Sequence, residues 1–215
     1  MLSPKAAGDV VLDHVSRRFG ALTVLDDVSL SLAPGSITEI VGNNGVGKTS
    51  LLRILAGTLA PTSGSVTVAG MAPGRGMAAL VPAGDRALYW RLTGRQELEF
   101  FARVTGVSRT EAQKVAGAAS AALQVDQLMD GQIGTFSTGQ RRRLMVARSL
   151  VGRAPVLLFD EPYADLDDTA CEIVATVANG WADQGGVVVW TSPAADGGPP
   201  PHTRYVLADG MISYA

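Results

Sequence analysis

Residues 42 to 49 read Gly-Asn-Asn-Gly-Val-Gly-Lys-Thr, a fit to Gly-x-x-x-x-Gly-Lys-Thr, and this octapeptide lies between an apolar run and a helical pattern. With ordinary glycine usage such a match arises by chance on the order of once in a hundred chains of this size. The glycines allow backbone N–H groups to converge on phosphate oxygens, and the positive end of the following helix adds to the attraction. Lys48 is placed to reach the β- and γ-phosphates of a nucleotide and Thr49 to bind Mg²⁺. Gly42, Asn43, Asn44, Gly45, Val46, Gly47 and Ser50 complete the expected cradle. The plain alternative is a glycine-rich turn that caps an ordinary helix.

The flanking pattern supports a parallel α/β fold. Short strands are expected at Val10 to His14, Ser29 to Leu32, Ile37 to Val41, Ser65 to Ala69 and Ala78 to Val81, with a helix from about Lys48 to Leu59. From about Arg95 to Leu128 apolar residues recur at helical spacing, as at Leu98, Phe101, Ala102 and Thr105. A helix from about Thr138 to Val151, a strand Val156 to Phe159, a helix from about Asp168 to Trp181 and a strand Val187 to Thr191 follow. Near-continuous apolar strands joined by helices imply a sheet covered on both faces. Arg204 to Ala215 reads as a hairpin turning at Asp209-Gly210, and 196–201 is a Gly/Pro-rich loop. At 215 residues the chain suits one domain, with about 84–152 as an inserted helical subdomain.

Charge narrows the partners. Eighteen Lys and Arg against 20 Asp and Glu give a net charge of -2, which supplies no long-range attraction for nucleic acid. The single Cys171 excludes an internal disulfide framework and favours a reducing cytoplasm. No apolar run approaches the roughly 18 residues that suggest a membrane span, and the N-terminus lacks the apolar core of a signal peptide.

The run Val156 to Phe159 delivers Asp160 and Glu161 at its C-terminal edge, where open α/β sheets bind ligands. Paired with the phosphate cradle, Asp160 is expected to hold Mg²⁺ and Glu161 to orient the water that attacks the γ-phosphate. Between the two lies Phe136-Ser137-Thr138-Gly139-Gln140-Arg141-Arg142-Arg143-Leu144, opening a helix. Ser137 is a good cap. Three arginines near the positive helix end are unfavourable by roughly 0.3 to 1 kcal/mol each unless an anion or nearby carboxylates intervene.

The segment "FSTGQRRRLMVARSL" resembles the signature motif of ATP-binding cassette (ABC) ATPases, in the form found in the drug and polysaccharide exporter branch. "VSRRFGALTVLDDVSLSLAPGSITEIVGNNGVGKTSLLRILAGTLAPTSGSVTVAG" resembles the family's opening and "VLLFDEPYADLD" its metal-binding strand and D-loop. The resemblance implies an α/β P-loop NTPase with a mostly parallel sheet core, an N-terminal antiparallel β-subdomain and a helical subdomain. It implies that Lys48, Asp160 and Glu161 serve hydrolysis, that Phe19 stacks on adenine, and that Ser137, Thr138, Gly139 and Gln140 reach the ATP of a second cassette. A core position for Phe19 is the alternative. Asp165, Leu166 and Asp167 would line the interface between cassettes.

Two positions depart from the family pattern. After Ala78 to Val81, where a glutamine is usual, the chain reads Pro82-Ala83-Gly84-Asp85-Arg86; Asp85 is the candidate third metal ligand, and Gln96 lies farther on. At the end of Val187 to Thr191, where a histidine is usual, Ser192 is followed by Pro193, and His202 is nine residues beyond. Leu88, Tyr89 and Trp90 are expected either to be exposed as anchors for a membrane-spanning subunit or to pack the subdomain. The expected protein is thus an ATP- and Mg²⁺-dependent subunit at the cytoplasmic face of the membrane, driving separate membrane subunits, with export favoured. A hydrolytically weak cassette paired with a competent partner and a soluble non-transport ABC ATPase are the alternatives.

Overall fold

A computed structural model describes residues 2–85, 87–164, 166–193 and 201–215. Two sheets and five α-helices are found among them. The first sheet is antiparallel: β1 (Val10–Phe19), β2 (Leu22–Leu32) and β4 (Ser63–Val68) lie in the order β2-β1-β4. The second contains β3 (Ile37–Val41), β5 (Ala78–Val81), β6 (Val156–Asp160), β7 (Val187–Ser192), β8 (Thr203–Ala208) and β9 (Met211–Tyr214), in the order β5-β6-β7-β3-β8-β9. Only β9 runs antiparallel to its neighbour.

The alternation of side chains explains why β6 and β7 read as continuous apolar runs. Val156, Leu158, Val187 and Val189 enter one core with α1 (Lys48–Leu55) and the antiparallel sheet. Leu157, Phe159, Val188 and Trp190 enter the other, with the helices α2 (Gly94–Val104), α3 (Arg109–Ala122), α4 (Thr138–Leu150) and α5 (Asp168–Asp183). Each fully buried large apolar side chain contributes roughly 1.5 to 3 kcal/mol. Both faces of the parallel sheet are therefore covered, as the sequence pattern implies.

Differences from the sequence reading have local causes. α1 stops at Leu55 because Gly57 adopts φ 70° and its N–H bonds to Ile54, a left-handed C-terminal stop. The helical stretch Arg95 to Leu128 is two helices, interrupted by Gly106 at φ 92° and restarted by Ser108, whose side chain accepts from the Glu111 amide. β1 continues to Phe19 through register shifts near His14 (φ 50°), which keep it paired with both neighbours. The closing hairpin turns at Asp209 and Gly210, both at positive φ.

Register brings the chemistry to one edge. Val41 pairs with Ser192 and Asp160 with Thr191, so the C-terminal ends of β3, β6 and β7 lie side by side.

Candidate active site

The loop between β3 and α1 is built where side chains do not fit. A Cβ on Gly42 would stand 2.5 Å from the Leu207 carbonyl oxygen, and one on Gly47, at φ 118°, would stand 2.9 Å from the Val24 carbonyl oxygen. Gly47 caps α1 without any side-chain acceptor, so the first-turn N–H groups remain available to an anion. Lys48 is 5% exposed; its Nζ donates to the carbonyls of Gly42 (2.5 Å) and Asn43 (3.2 Å) and lies 3.7 Å from Glu161 Oε1. Asn44, Gly45, Gly47, Lys48, Thr49 and Ser50 form one wall of a cleft and Glu161 stands on another.

Asp160 is held from both sides. Thr49 Oγ1 donates to its Oδ2 at 2.7 Å, and Thr191 Oγ1 donates to its Oδ1 at 2.9 Å. The Glu161 N–H in turn donates to Thr191 Oγ1 at 3.1 Å, with Glu161 at φ 51°. A hydroxyl and a carboxylate in contact beside a glycine cradle offer hard oxygen ligands suited to Mg²⁺. The neighbouring carboxylate can orient a water molecule and take its proton.

The remaining predicted residues divide. Phe19 ends β1 with 46% of its surface exposed and the Arg17 guanidinium 4.3 Å from its ring centroid, which removes the core alternative. Ser137 and Gln140 form a reciprocal capping box at α4: Ser137 Oγ accepts from the Gln140 N–H at 3.2 Å, and Gln140 Oε1 accepts from the Ser137 N–H at 2.8 Å. Neither they nor Thr138 and Gly139 line the phosphate cleft of their own chain. Asp85 does not line the cleft formed by Lys48, Thr49 and Glu161. Its carboxylate accepts from Arg141 Nε at 2.6 Å, an ion pair on the helical side.

The three arginines of α4 are accommodated mainly by carbonyls. Arg141 pairs with Asp85, donates to the Phe136 carbonyl and stacks 4.8 Å over Trp90. Arg142, only 4% exposed, donates to the carbonyls of Pro82, Gly84, Asp160, Glu161 and Pro162. Arg143 bonds the carbonyls of Leu123 and Gln124. Backbone dipoles and one carboxylate thus offset the helix-end conflict. Among the anchor candidates Leu88 is buried, whereas Tyr89 and Trp90 are exposed; Tyr89 also stacks on Phe101.

At the end of β7, Ser192 is buried and donates to Glu39 Oε1 at 2.6 Å, while Arg204 holds Glu39 Oε2 at 2.7 Å. Pro193 follows, lining a second cleft with Glu161, Tyr163 and Thr191. His202 does not stand at the end of β7. Its N–H donates to the Ile37 carbonyl and its Nδ1 accepts from the Ile37 N–H, at the start of β3. Four residues of strand, about 13 Å, separate that edge from Val41. Leu166 packs against the helical core and Asp167 caps α5, accepting from the Ala170 N–H; Asp165 and most of the 196–201 loop lie outside the described residues.

Sequence reasoning missed Thr191, Arg142, and the Glu39 link. A hydroxyl at a strand end carries no motif, and only the pairing of Asp160 with Thr191 reveals the contact.

Residues 25–164 match the family described as ABC transporter. The chain is 33% identical over 174 residues to the ABC transporter ATP-binding protein NatA of Bacillus subtilis, covering 76% of this chain and 71% of that protein. It is 36% identical over 180 residues to the taurine import ATP-binding protein TauB of Chromobacterium violaceum, covering 82% of this chain and 69% of that one. Some longer relatives are matched over 45% or 47% of their own length. A dimeric ATP-binding cassette solved in a post-hydrolysis state with ADP and Pi superposes with a TM-score of 0.85 at 22% identity, covering 95% of this chain and 98% of that one. That likeness concerns the fold.

Proposed function

The chain belongs to the ABC transporter family of ATP-binding ATPases, and on that premise we propose that it powers a transporter whose membrane-spanning subunits are separate chains. The observation that carries the reading is the meeting of Thr49 with Asp160 at 2.7 Å beside Lys48 and Glu161 at 3.7 Å. Thr49 and Asp160 would hold a magnesium ion, whose charge offsets that of the phosphates. Lys48 and the first-turn N–H groups of α1 bind the phosphate oxygens, and Phe19 offers an exposed ring face to the base. Glu161 orients the attacking water and accepts its proton as the bond from the γ-phosphate to ADP breaks.

In this reading Ser137, Thr138, Gly139 and Gln140 complete the site of a second cassette, because they stand outside the cleft of their own chain. Two copies, or this chain and a related one, close head to tail around two ATP molecules. Residues 84–152 form the helical subdomain that carries this motif, within one domain spanning 1–215. Tyr89, Trp90 and Phe100 are exposed and suited to anchor the membrane subunits, and in this reading the chain works at the cytoplasmic face of the membrane. No helix among the described residues is long and apolar enough to cross a membrane.

The form of the signature segment supports export, although TauB is named for import. A second reading, reduced turnover in a cassette that relies on its partner, is favoured by specific placements. Asp85 is engaged by Arg141, Pro193 stands where a histidine is usual, and His202 is fixed at the opposite sheet edge. The test is Mg²⁺-dependent phosphate release by the purified chain, alone and with its membrane subunits. Lys48→Ala is expected to lower it by about 100-fold or more; undiminished release by Lys48→Ala contradicts the reading.

A further inference from the structure

Glu161 occupies a left-handed backbone conformation, φ 51°, which a residue with a Cβ adopts only when its surroundings hold it there. Its two peptide groups are gripped from different elements. The N–H donates to Thr191 Oγ1 on β7 at 3.1 Å, and the carbonyl accepts from Arg142 Nη2 on α4. Thr191 is fully buried, and its hydroxyl donates its proton to Asp160 at 2.9 Å while its oxygen accepts from the Glu161 N–H. Arg142 is also buried. The same guanidinium bonds the carbonyls of Asp160 (2.7 Å), Pro82 (2.8 Å) and Gly84 (3.1 Å).

We infer that Thr191 and Arg142 are positioning residues that clamp the Glu161 backbone in its hydrolytic orientation and tie that orientation to the helix that begins with Ser137-Thr138-Gly139-Gln140. Released from either grip, Glu161 relaxes toward the extended region that the following Pro162 favours, and the resulting peptide rotation carries its carboxylate away from Lys48, now 3.7 Å distant. Arg142 makes the clamp responsive. It sits one turn into α4, and its other branch holds the 82–84 loop, so a shift of α4 pulls on both that loop and Glu161. In a chain with Pro193 after β7 and an Arg141-bound Asp85, this backbone clamp is a contact through which the helix that carries the signature segment reaches Glu161. The inference rests on the proposed role of Glu161.

The experiment compares wild type, Thr191→Val, Thr191→Ser, Arg142→Lys and Glu161→Gln in the full-length chain at saturating Mg²⁺, measuring kcat for ATP hydrolysis and, separately, Kd for a fluorescent ATP analogue. Thr191→Val preserves shape and removes both hydroxyl bonds. The expected result is a kcat lowered on the order of 10- to 100-fold with Kd within about threefold of wild type, as for a small misplacement of a reacting group. Thr191→Ser restores kcat to within about threefold of wild type, because the hydroxyl is enough. Arg142→Lys, which keeps charge and loses the fork, lowers kcat with Kd unchanged; if it does not fold, the Thr191 pair decides. Wild-type kcat in Thr191→Val while Glu161→Gln is inactive overturns the clamp and leaves the role of Glu161 standing. A serine variant as slow as the valine variant, or a loss confined to Kd, also overturns it. Wild-type hydrolysis by Glu161→Gln removes the role of Glu161 and the clamp with it.

Discussion

Thr49 and Asp160 lie 111 residues apart in the chain, yet the Thr49 hydroxyl donates to the Asp160 carboxylate at 2.7 Å. The contact joins the first turn of α1 to the end of β6 and juxtaposes two candidate oxygen ligands beside the glycine cradle. Thr49→Val is expected to raise the Mg²⁺ concentration needed for half-maximal hydrolysis by about 10-fold or more, since loss of a metal-site partner costs on that scale. A Mg²⁺ titration of phosphate release checks this. An unchanged midpoint contradicts the metal assignment.

His202 is expected to be dispensable for hydrolysis. Both its backbone N–H and its Nδ1 are engaged with Ile37, at the edge of the sheet remote from Glu161. His202→Ala should keep kcat within about twofold of wild type, as is usual for a substitution remote from the reacting groups. A fall comparable to that of Glu161→Gln would show that the histidine reaches the site in the working complex.

The Glu97–Arg148 pair supplies a pH test. Glu97 is completely buried, Arg148 Nη1 stands 2.8 Å from its Oε1, and the guanidinium also lies over Phe101. Burial pushes the Glu97 carboxyl above its ordinary range, with Arg148 opposing the shift. The folded state therefore holds the Glu97 proton more tightly than the unfolded state. The stabilisation this provides is complete below the unfolded pKa and is lost as pH rises through the folded one. Arg148→Ala removes the opposing charge, so it should cost about 3 to 5 kcal/mol near neutrality, more at about pH 8 than at about pH 5.5. Urea unfolding at the two pH values measures this. Equal deficits at both would show that Glu97 is not the titrating group.

Ser137→Arg addresses the second cassette. The substitution removes a cap worth about 1 kcal/mol and places a bulky cation where a partner's phosphate is expected. Light scattering on the Ser137→Arg chain should show monomers at ATP concentrations that dimerise wild type, with ATP affinity of the monomer within about threefold. Normal ATP-driven dimerisation in the variant contradicts the role of the segment across the interface.

What was legible in the sequence was local. The glycine cradle, the carboxylates after Val156 to Phe159 and the cap at Ser137 are each specified by neighbours a few residues away; α4 and β6 lie within a residue of the expected bounds, and α1 starts at the expected Lys48 but ends four residues early. Contacts set by register were not legible. Thr191 meets Asp160 because β7 pairs with β6, and His202 is carried to the remote edge because Thr203 pairs with Thr38. Asp85 follows the same logic, since its capture by Arg141 depends on how α4 packs against the loop after β5. Leu88 illustrates the limit of composition. An apolar triplet with Tyr89 and Trp90 does not show which member turns inward.

The central claim, that Glu161 positions the hydrolytic water in a site built by Lys48, Thr49 and Asp160, is tested most directly by single-turnover hydrolysis of radiolabelled ATP at matched occupancy in wild type and Glu161→Gln. Replacing the carboxylate by an amide of the same shape leaves the cradle intact and removes the proton acceptor. The account predicts ATP affinity within about threefold of wild type and a hydrolysis step slower by about 10²- to 10⁴-fold. Hydrolysis by Glu161→Gln at the wild-type rate would contradict it.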